Sequence, residues 1–498
     1  MFWKSIPLVL MISILETKYA LKRYNQRIFF QILGVLFLLI GSGPVYPSFA
    51  QDEVPSGPVY VVQPGDTLWD ISVRFGVSIS ELEKLNGITN PNVVKAGDRL
   101  VIPGLEGFQG TVITLEVPYG ETLRSLSREY QVPQSVLVKL NHLTSPTELY
   151  AGAYLVILES DTKAPKGKRA TLSSGNSLLE MAVSEGTDPW SLVATNAFSQ
   201  TVEVLPGDVL RMPGKAQEEP GVQDGPGALP GEITSLEVTP LPFIQGKTTE
   251  IKISASSGIS FTGSFMGNQI HFFLTGDGKY VGMQGIHAMS EPGFYPFTLA
   301  GSLADGTSFG FEQLVYLQLG GYIQDRPLQI DPAGLDTKVT QPEDEFWKAS
   351  ATPFTNEKMW SGIFKYPAKA VYLDCYPSTF GRRRSYNGSP YTYYHTGLDI
   401  CGGVGDPIFA SADGIVVFAG PLTVRGNATM INHGLGVYTA YMHQSEILVK
   451  AGDIVTAGQL IGLVGRTGLR ITGPHLHWEV WVGGIQVDPL DWLRKEFP

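Results

Sequence analysis

The sequence predicts a multidomain, mainly β protein: three small βααβ repeats, a β-sandwich, and an antiparallel β-sheet domain at the C-terminal end. Three observations predict it. Short motifs return three times with a 55-residue period. From Glu232 onward, apolar and polar residues alternate with period two in runs separated by turn residues. Glycine and proline, at 57 and 34 of 498 residues, are frequent enough to favour turns and linkers over long helices. That length exceeds what a single hydrophobic core organises, so several domains are expected. The net charge of −11 argues against a nucleic-acid binder, because phosphate contacts require clustered Lys and Arg.

In chain order, residues 1–50 read as an export signal. Lys18, Lys22, Arg23 and Arg27 flank an apolar run from Ile28 to Ile40, short for a membrane span and followed by the small-x-small pattern Ser48-Phe49-Ala50. The mature chain is expected to begin near Gln51; an uncleaved N-terminal anchor is the alternative.

The repeats span residues 58–104, 111–159 and 168–214. Gly65–Leu68 (GDTL) returns as Gly120–Leu123 (GETL) and Gly175–Leu178 (GNSL). Asn86, Asn141 and Asn196 keep the same step, as do Gly97, Gly152 and Gly207, and Leu100, Leu155 and Leu210. Four sets of positions in one register make each copy a structural unit. In copy one, Val59–Val62 reads as a strand. Leu68, Ile71, Ser72 and Phe75 recur at helical spacing up to a terminating Gly76. A second helix, about Ser80–Leu85, is N-capped by Ser78 or Ser80, and Arg99–Ile102 closes as a strand. This copy resembles the LysM module, whose closing pattern is matched by Gly97-Asp98-Arg99-Leu100-Val101-Ile102-Pro103. The resemblance implies binding of N-acetylglucosamine-containing glycan in a groove near Gly65–Leu68 and Ile88–Val93. Copies two and three diverge: Gly152-Ala153 replaces Gly-Asp, and Ser173-Ser174 precedes Gly175.

Residues 215–231, rich in Gly and Pro and almost without apolar residues, read as a linker. Residues 232–328 contain short alternating strands such as Ile270-His-Phe-Phe-Leu, separated by turns such as Gly276-Asp-Gly, and are expected to form an immunoglobulin-like β-sandwich without its disulfide. A rigid spacer is its expected role.

Residues 340–498 carry the chemistry. Five of the eight histidines lie between His395 and His477, in the constellation His395-Thr-Gly-Leu-Asp399, His443 and His475-Leu-His477. Alternating strands and glycine turns surround them. On a strand, His395 and Asp399 share a face, as do His475 and His477. Two imidazoles and one carboxylate make an N/N/O site with a fourth position open, the catalytic zinc pattern. Spacing alone does not decide between His475 and His477, and three histidine ligands are chemically possible. Hydrolysis of a peptide also needs a base for water and a donor for the oxyanion or leaving amine. Tyr441 is the candidate to share the face of His443. Arg382–Arg384 are expected either to line the groove or to form a solvated turn. His433 is expected to be structural, and His142, His271 and His287 inert. Both cysteines of the chain, Cys375 and Cys401, are expected to pair in an exported protein.

The segments YYHTGLDI, GDPIFASADGIVVFAG, HGLGVYTAYMH, VKAGDIVTAGQLIGLVGRTG, TGPHLHWEV and VDPLDWL resemble, in order, the lysostaphin-type (LytM-like) peptidoglycan metalloendopeptidases. The resemblance implies one Zn2+ per chain held by His395, Asp399 and His477, with His443 and His475 catalytic, on a small antiparallel sheet crossed by a groove. The expected function is hydrolysis of peptide cross-links in bacterial peptidoglycan by an exported, monomeric enzyme of the cell wall or periplasm. Stem peptides would bind the peptidase domain and glycan the LysM repeats. The alternative, a catalytically silent wall-binding activator of another hydrolase, is disfavoured by the intact five-residue set. Glycan cleavage would need paired carboxylates in a groove, and none stands out.

Overall fold

The computed structural model describes residues 57–105, 108, 110–145, 148–159, 168–198, 204–213, 225–330, 332–469 and 473–498. The expected export signal and most of the expected linker lie outside these residues.

Copy one runs β1 (Val59–Val61), α1 (Leu68–Phe75), α2 (Ile79–Asn86) and β2 (Arg99–Val101). Both helices start in capping boxes, Thr67 with Asp70 and Ser78 with Glu81, and both end on a left-handed glycine, Gly76 and Gly87. Copy two repeats the order as β3 (Thr111–Glu116), α3 (Leu123–Tyr130), α4 (Gln134–Leu140) and β4 (Tyr154–Glu159). Copy three follows as β5 (Arg169–Thr171), α5 (Leu178–Ser184), α6 (Pro189–Thr195) and β6 (Val209–Arg211). The invariant positions have a structural cause. The Asn86 side chain donates to Leu82 O and Val101 O and accepts from Val101 N, tying α2 to β2. Asn141 makes the same three bonds with Leu137 and Val156, and Asn196 with Leu192 and Arg211. Gly97, Gly152 and Gly207 turn into the last strand at φ 94°, 89° and 88°, a region a side chain strains.

The copies are not equivalent in their surroundings. Copies one and two share the four-stranded sheet β2-β1-β3-β4 and one core. Copy three pairs only β5 with β6 and has its own small core. It is fastened to copy two by Asp208, which receives Arg124 and Arg128 at 2.5 and 2.7 Å.

The middle domain comprises β7 (Ile233–Thr239), β8 (Phe243–Ile244), β9 (Thr248–Ala255), β10 (Ser260–Phe265), β11 (Asn268–Leu274), β12 (Lys279–Gly285), β13 (Gly293–Ser302) and β14 (Ser308–Gln318). Its strands form one hydrogen-bonded path, β7-β9-β12-β11-β10-β13-β14-β8, rather than two separate sheets. Residues from both ends of that path, Ile251 and Ile253 with Phe297, Leu299, Val315 and Leu317, share one core, so the sheet folds back on itself. Tyr119 and Ala151 of copy two belong to this core as well: Tyr119 Oη donates to Phe297 O, and Ala151 N to Leu314 O.

The end of the expected linker is packed rather than free. Arg169 of copy three, 8% exposed, donates to the carbonyls of Pro226, Leu229 and Ile233, and Gly227 N donates to Glu121 of copy two at 2.6 Å. A buried guanidinium must spend its donors on acceptors, and this stretch of Gly and Pro provides bare carbonyls.

The C-terminal region begins with α7 (Thr337–Ser350), which starts before the expected boundary at residue 340. It continues with β15 (Arg383–Arg384), β16 (Tyr393–Tyr394), β17 (Leu398–Cys401), β18 (Pro407–Phe409), β19 (Gly414–Leu422), β20 (Gly426–Gly434), β21 (Val437–Gln444), β22 (Glu446–Ile447), β23 (Ile454–Val455), β24 (Leu460–Leu463), β25 (His475–Val482), β26 (Ile485–Val487) and α8 (Pro489–Trp492). The main sheet runs β17-β25-β21-β20-β19-β23, with β26 on β25, and a smaller sheet runs β18-β24-β22. A core centred on Tyr441, Trp478 and Trp492 fills one face of the main sheet. The other face carries α7 through Trp347. Cys375 and Cys401 form a disulfide that ties β17 to the preceding loop. Among the described residues, no helix is long and apolar enough to cross a membrane.

Candidate metal centre and its cleft

β17 and β25 pair antiparallel with Asp399 opposite His477 and Cys401 opposite His475. This register brings the carboxylate and the imidazole of His477 to one point. His395 reaches that point differently from expectation. It stands between β16 and β17, outside any strand, and is turned inward by Thr396-Gly397. A Cβ at Gly397 would collide with Trp478 O and the His477 ring, so only glycine lets this loop lie against β25. His395 Nε2 is 3.0 Å from both Asp399 Oδ1 and His477 Nδ1, and His477 Nδ1 is 2.8 Å from Asp399 Oδ1.

The remaining ring nitrogens are already committed. His395 Nδ1 lies 2.9 Å from Thr379 O, and His477 Nε2 lies 3.3 Å from Glu479 Oε1. Placing protons on those atoms leaves two imidazole lone pairs and a carboxylate oxygen facing one another. Such a trio is repulsive unless a proton or a metal cation lies among them. A tetrahedral ion with bonds of about 2.0–2.1 Å spaces its donors by about 3.3 Å, close to what is found. The charges agree. Burial raises the Asp399 carboxyl, but His395 and the hydrogen bonds of His475 and His477 outweigh it and hold it well below the usual carboxylate range. Burial would lower His477, yet Asp399 and Glu479 push it up to about 9, so this corner favours a positive charge.

Glu479, not singled out in the sequence, orients His477. It is 1% exposed and receives Trp347 Nε1 at 3.2 Å, Trp481 Nε1 at 2.8 Å and Gln486 Nε2 at 3.0 Å. The signal was present: His475, His477 and Glu479 recur at period two on β25, hence on one face. α7 therefore braces the centre from behind, through Trp347.

His443 and His475 flank the centre, with ring centroids 5.1 Å apart, and His475 Nε2 is 3.4 Å from Asp399 Oδ1. His443 Nδ1 contacts Thr467 O and His475 Nδ1 contacts Gly473 O, both at 2.9 Å, so each ring's Nε2 is free of the backbone. Burial, helped by the neighbouring His477 and His475, lowers His443 to about 3, which keeps it neutral at ordinary pH. The register of β20 against β21 shifts between Thr429–Tyr441 and Asn427–Gln444, and His443 takes φ 62°. This bulge turns His443 out of the strand alternation. It also corrects the expectation for Tyr441, which is fully buried in the core, its Oη bonded to Ser411 N and Thr439 Oγ1.

These residues lie in a cleft of about 880 Å3, open to solvent, whose other walls include Arg382, Arg384, Tyr386, Tyr393 and His287. Arg382 and Arg384 face the cleft, whereas Arg383 points away to Ala288 O and Gln245 Oε1. His287, expected to be inert, comes from the middle domain and meets Tyr394 Oη at 3.3 Å. The segment after β14 completes a wall, held by bridges of Gln324 with Arg383 and Leu328 with Tyr386.

His433 is fully buried, bonded to Asp413 O and Thr439 Oγ1 at 2.7 Å each, and lowered by burial to about 4. Its folded pKa lies below the unfolded value of 6.5, so the unfolded chain gains its proton first as pH falls. Stability is then lost from about pH 6.5 down to about 4, by about 3 kcal/mol at most. Denaturant unfolding of wild type and His433→Gln at pH 7 and 4.5 is expected to show their stability gap narrowing in acid; an equal gap at both pH values contradicts this.

In copy two, the first loop of the expected glycan groove is covered. Tyr119, Gly120 and Glu121 are buried; Gly120 N donates to Gln313 of β14, and Gln313 donates back to Glu121 O. In copies one and three the corresponding loops, around Gly65 and Gly175, are exposed.

Residues 393–489 match Peptidase family M23, and residues 60–103 and 116–157 match the LysM domain, so the chain carries an M23 peptidase domain and LysM domains. Among curated proteins it is similar to the peptidoglycan DD-endopeptidase ShyA of Vibrio cholerae, with 42% identity over 113 residues, 23% of this chain and 26% of that one. It is also similar to the DD-carboxypeptidase/endopeptidase Mpg of Neisseria meningitidis, with 47% identity over 96 residues, 19% and 22% of the two chains. The chain thus spans about a quarter of the length of these relatives. Among solved structures, a putative peptidase M23 from Pseudomonas aeruginosa aligns with 22% identity and TM-score 0.35, over 51% of this chain and 96% of that one. The catalytic domain of lysostaphin from Staphylococcus simulans aligns with 32% identity and TM-score 0.23, over 26% and 99%.

Proposed function

We propose that this chain is an exported zinc metalloendopeptidase that hydrolyses peptide cross-links of peptidoglycan and is retained on the wall by its LysM repeats. The observation that carries the reading is the convergence of His395 Nε2, Asp399 Oδ1 and His477 Nδ1 in an open cleft, with two further imidazoles beside them. The M23 match and the names of the similar proteins support the same chemistry.

In this reading His395, Asp399 and His477 hold one Zn2+, and Glu479 fixes the tautomer and aim of His477. Zinc, when bound, acidifies water and polarises a carbonyl. The protein's own residues do the rest. His443 and His475 each keep Nδ1–H on a backbone carbonyl and present Nε2 to the cleft, where a neutral ring accepts the proton of the attacking water, and a ring that carries this second proton on Nε2 donates it to the departing amine. One water is consumed, the amide C–N bond breaks, and a carboxylic acid and an amine leave.

The test compares the zinc-loaded full chain with a variant lacking residues 51–104. Digestion of purified peptidoglycan is expected to yield stem-peptide fragments without new glycan ends, read by mass spectrometry. Glycan ends in place of cut peptides would sink the assignment. The variant is expected to sediment less with insoluble peptidoglycan yet cut a soluble cross-linked muropeptide dimer, because among the described residues copy one shares its core with copy two and not with the catalytic region, and the first groove loop of copy two is covered. Undiminished sedimentation would make copy one a spacer.

A further inference from the structure

The charges lining the cleft are unevenly satisfied. Arg425 is paired with Glu343 at 3.0 Å and Asp344 at 2.7 Å, and Arg382 is bound by Asp325 Oδ1 through Nε at 2.6 Å and Nη2 at 2.5 Å. Glu479 is occupied by two indoles, an amide and His477. Among the cleft charges that are not exposed, Arg384 is the exception; Arg326 and Lys348, which also line the cleft, are exposed. Its Nη2 donates to Ser378 Oγ at 3.0 Å, and its Nη1 makes a long contact of 3.4 Å with Tyr386 Oη. Its Nε is buried without a hydrogen-bond acceptor, Asp325 Oδ2 standing 3.8 Å away. The guanidinium therefore holds its positive charge in the cleft wall with donor capacity to spare. It does so beside the metal centre, with Nη2 3.9 Å from Asp399 Oδ2. If Asp399 serves a cation, it neutralises that cation rather than Arg384.

A guanidinium with donors left over at the edge of a hydrolytic centre fits a planar anion on the substrate. The two cross-link chemistries differ in this respect. A glycine bridge is a run of neutral peptide units. A cross-link from D-alanine to a diamino dicarboxylic acid places an unblocked carboxylate on the carbon that bears the scissile nitrogen, within a few ångströms of the carbonyl under attack. We propose that Arg384 is a specificity residue that binds this carboxylate, so that the preferred substrate is a cross-link whose amine side carries a free acid. The proposal rests on the peptidase reading above and goes beyond it, because it names which bond the site prefers.

The experiment uses the zinc-loaded full chain and two matched cross-linked muropeptide dimers, one with the acceptor diamino-acid carboxylate free and one with it amidated. Wild type is expected to favour the free acid in kcat/KM by roughly 10–100-fold, the range of one hydrogen-bonded charge. Arg384→Gln should lose that preference, bringing kcat/KM for the free-acid and amidated dimers toward parity, and retain its zinc. Arg384→Lys, which keeps the charge but not the planar fork, should recover part of the preference. Equal cleavage of both dimers by wild type overturns the proposal while leaving the peptidase intact. An equal loss on both dimers in Arg384→Gln assigns Arg384 to structure and overturns it too. If the wild type cuts neither, the peptidase reading fails and the specificity assignment with it.

Discussion

Replacing Asp399 with alanine is expected to leave the metal site largely empty and to lower turnover on a cross-linked muropeptide by ~10³-fold or more, since both hydroxide supply and carbonyl polarisation depend on the ion. The carboxylate is the one anionic donor of the three, and its Oδ1 is the atom that both ring nitrogens approach at 2.8 and 3.0 Å. Its loss also unseats His475 Nε2, which stands 3.4 Å from the same oxygen. The fold should survive. Asp399 N still bonds Ser378 O, the pairing of β17 with β25 uses backbone, and the disulfide at Cys401 holds the strand's far end. Zinc content by elemental analysis, with circular dichroism on the same preparation, checks both halves. Full zinc occupancy in a folded Asp399→Ala protein would remove Asp399 from the ligand set.

His443→Ala and His475→Ala are each expected to keep near-normal zinc and to lose 10²- to 10⁴-fold in turnover, the usual range for a general acid–base. The two approach the centre from different strands, and each ring is locked by its own carbonyl partner, Thr467 O or Gly473 O. Removing one leaves the other in place. If His475→Ala loses its zinc, His475 is a ligand, and the division of roles is overturned. If His443→Ala retains full turnover, the base lies elsewhere in the cleft.

Much of this architecture is legible in the sequence because the constraints are local. The triplicate Asn86, Asn141 and Asn196 each close a helix onto a strand with three hydrogen bonds, and no other side chain supplies two donors and an acceptor in that geometry. His395 with Asp399, and His475 with His477, are each close enough in sequence to be read as pairs, but the two pairs meet only through the register of β17 against β25. What escapes the sequence is set by partners far along the chain. The bulge that re-aims His443 exists only in register with β20, so alternation alone directed attention to Tyr441. Period two places Glu479 on the face of His477, but its bracing shows only once Trp347, 132 residues earlier, is seen donating to it. Residues 225–231 look like a tether by composition, but they pack because Arg169 and Glu121 require the backbone groups they expose. Arg384 is one of three adjacent arginines until the strand pairing with Tyr393 sends its neighbour Arg383 toward the middle domain and leaves Arg384 in the cleft.

The sealed second repeat also limits how this chain can be recombined. Three copies with one period invite the view that modules could be shuffled, duplicated or grafted one by one. Copy two shares its Tyr119 and Ala151 with the core of the middle domain, and its Arg124 and Arg128 grip copy three. A crossover that replaced copy two with copy one would put Trp69 and Val73 where those arginines stand and leave Asp208 without its partners. Copy one is the less entangled segment, since it is joined through the sheet and core it shares with copy two. From residue 111 onward, repeats, folded sheet and catalytic region form a single heritable cassette, and chimaeras joined within it are expected to misfold even when every join respects a repeat boundary.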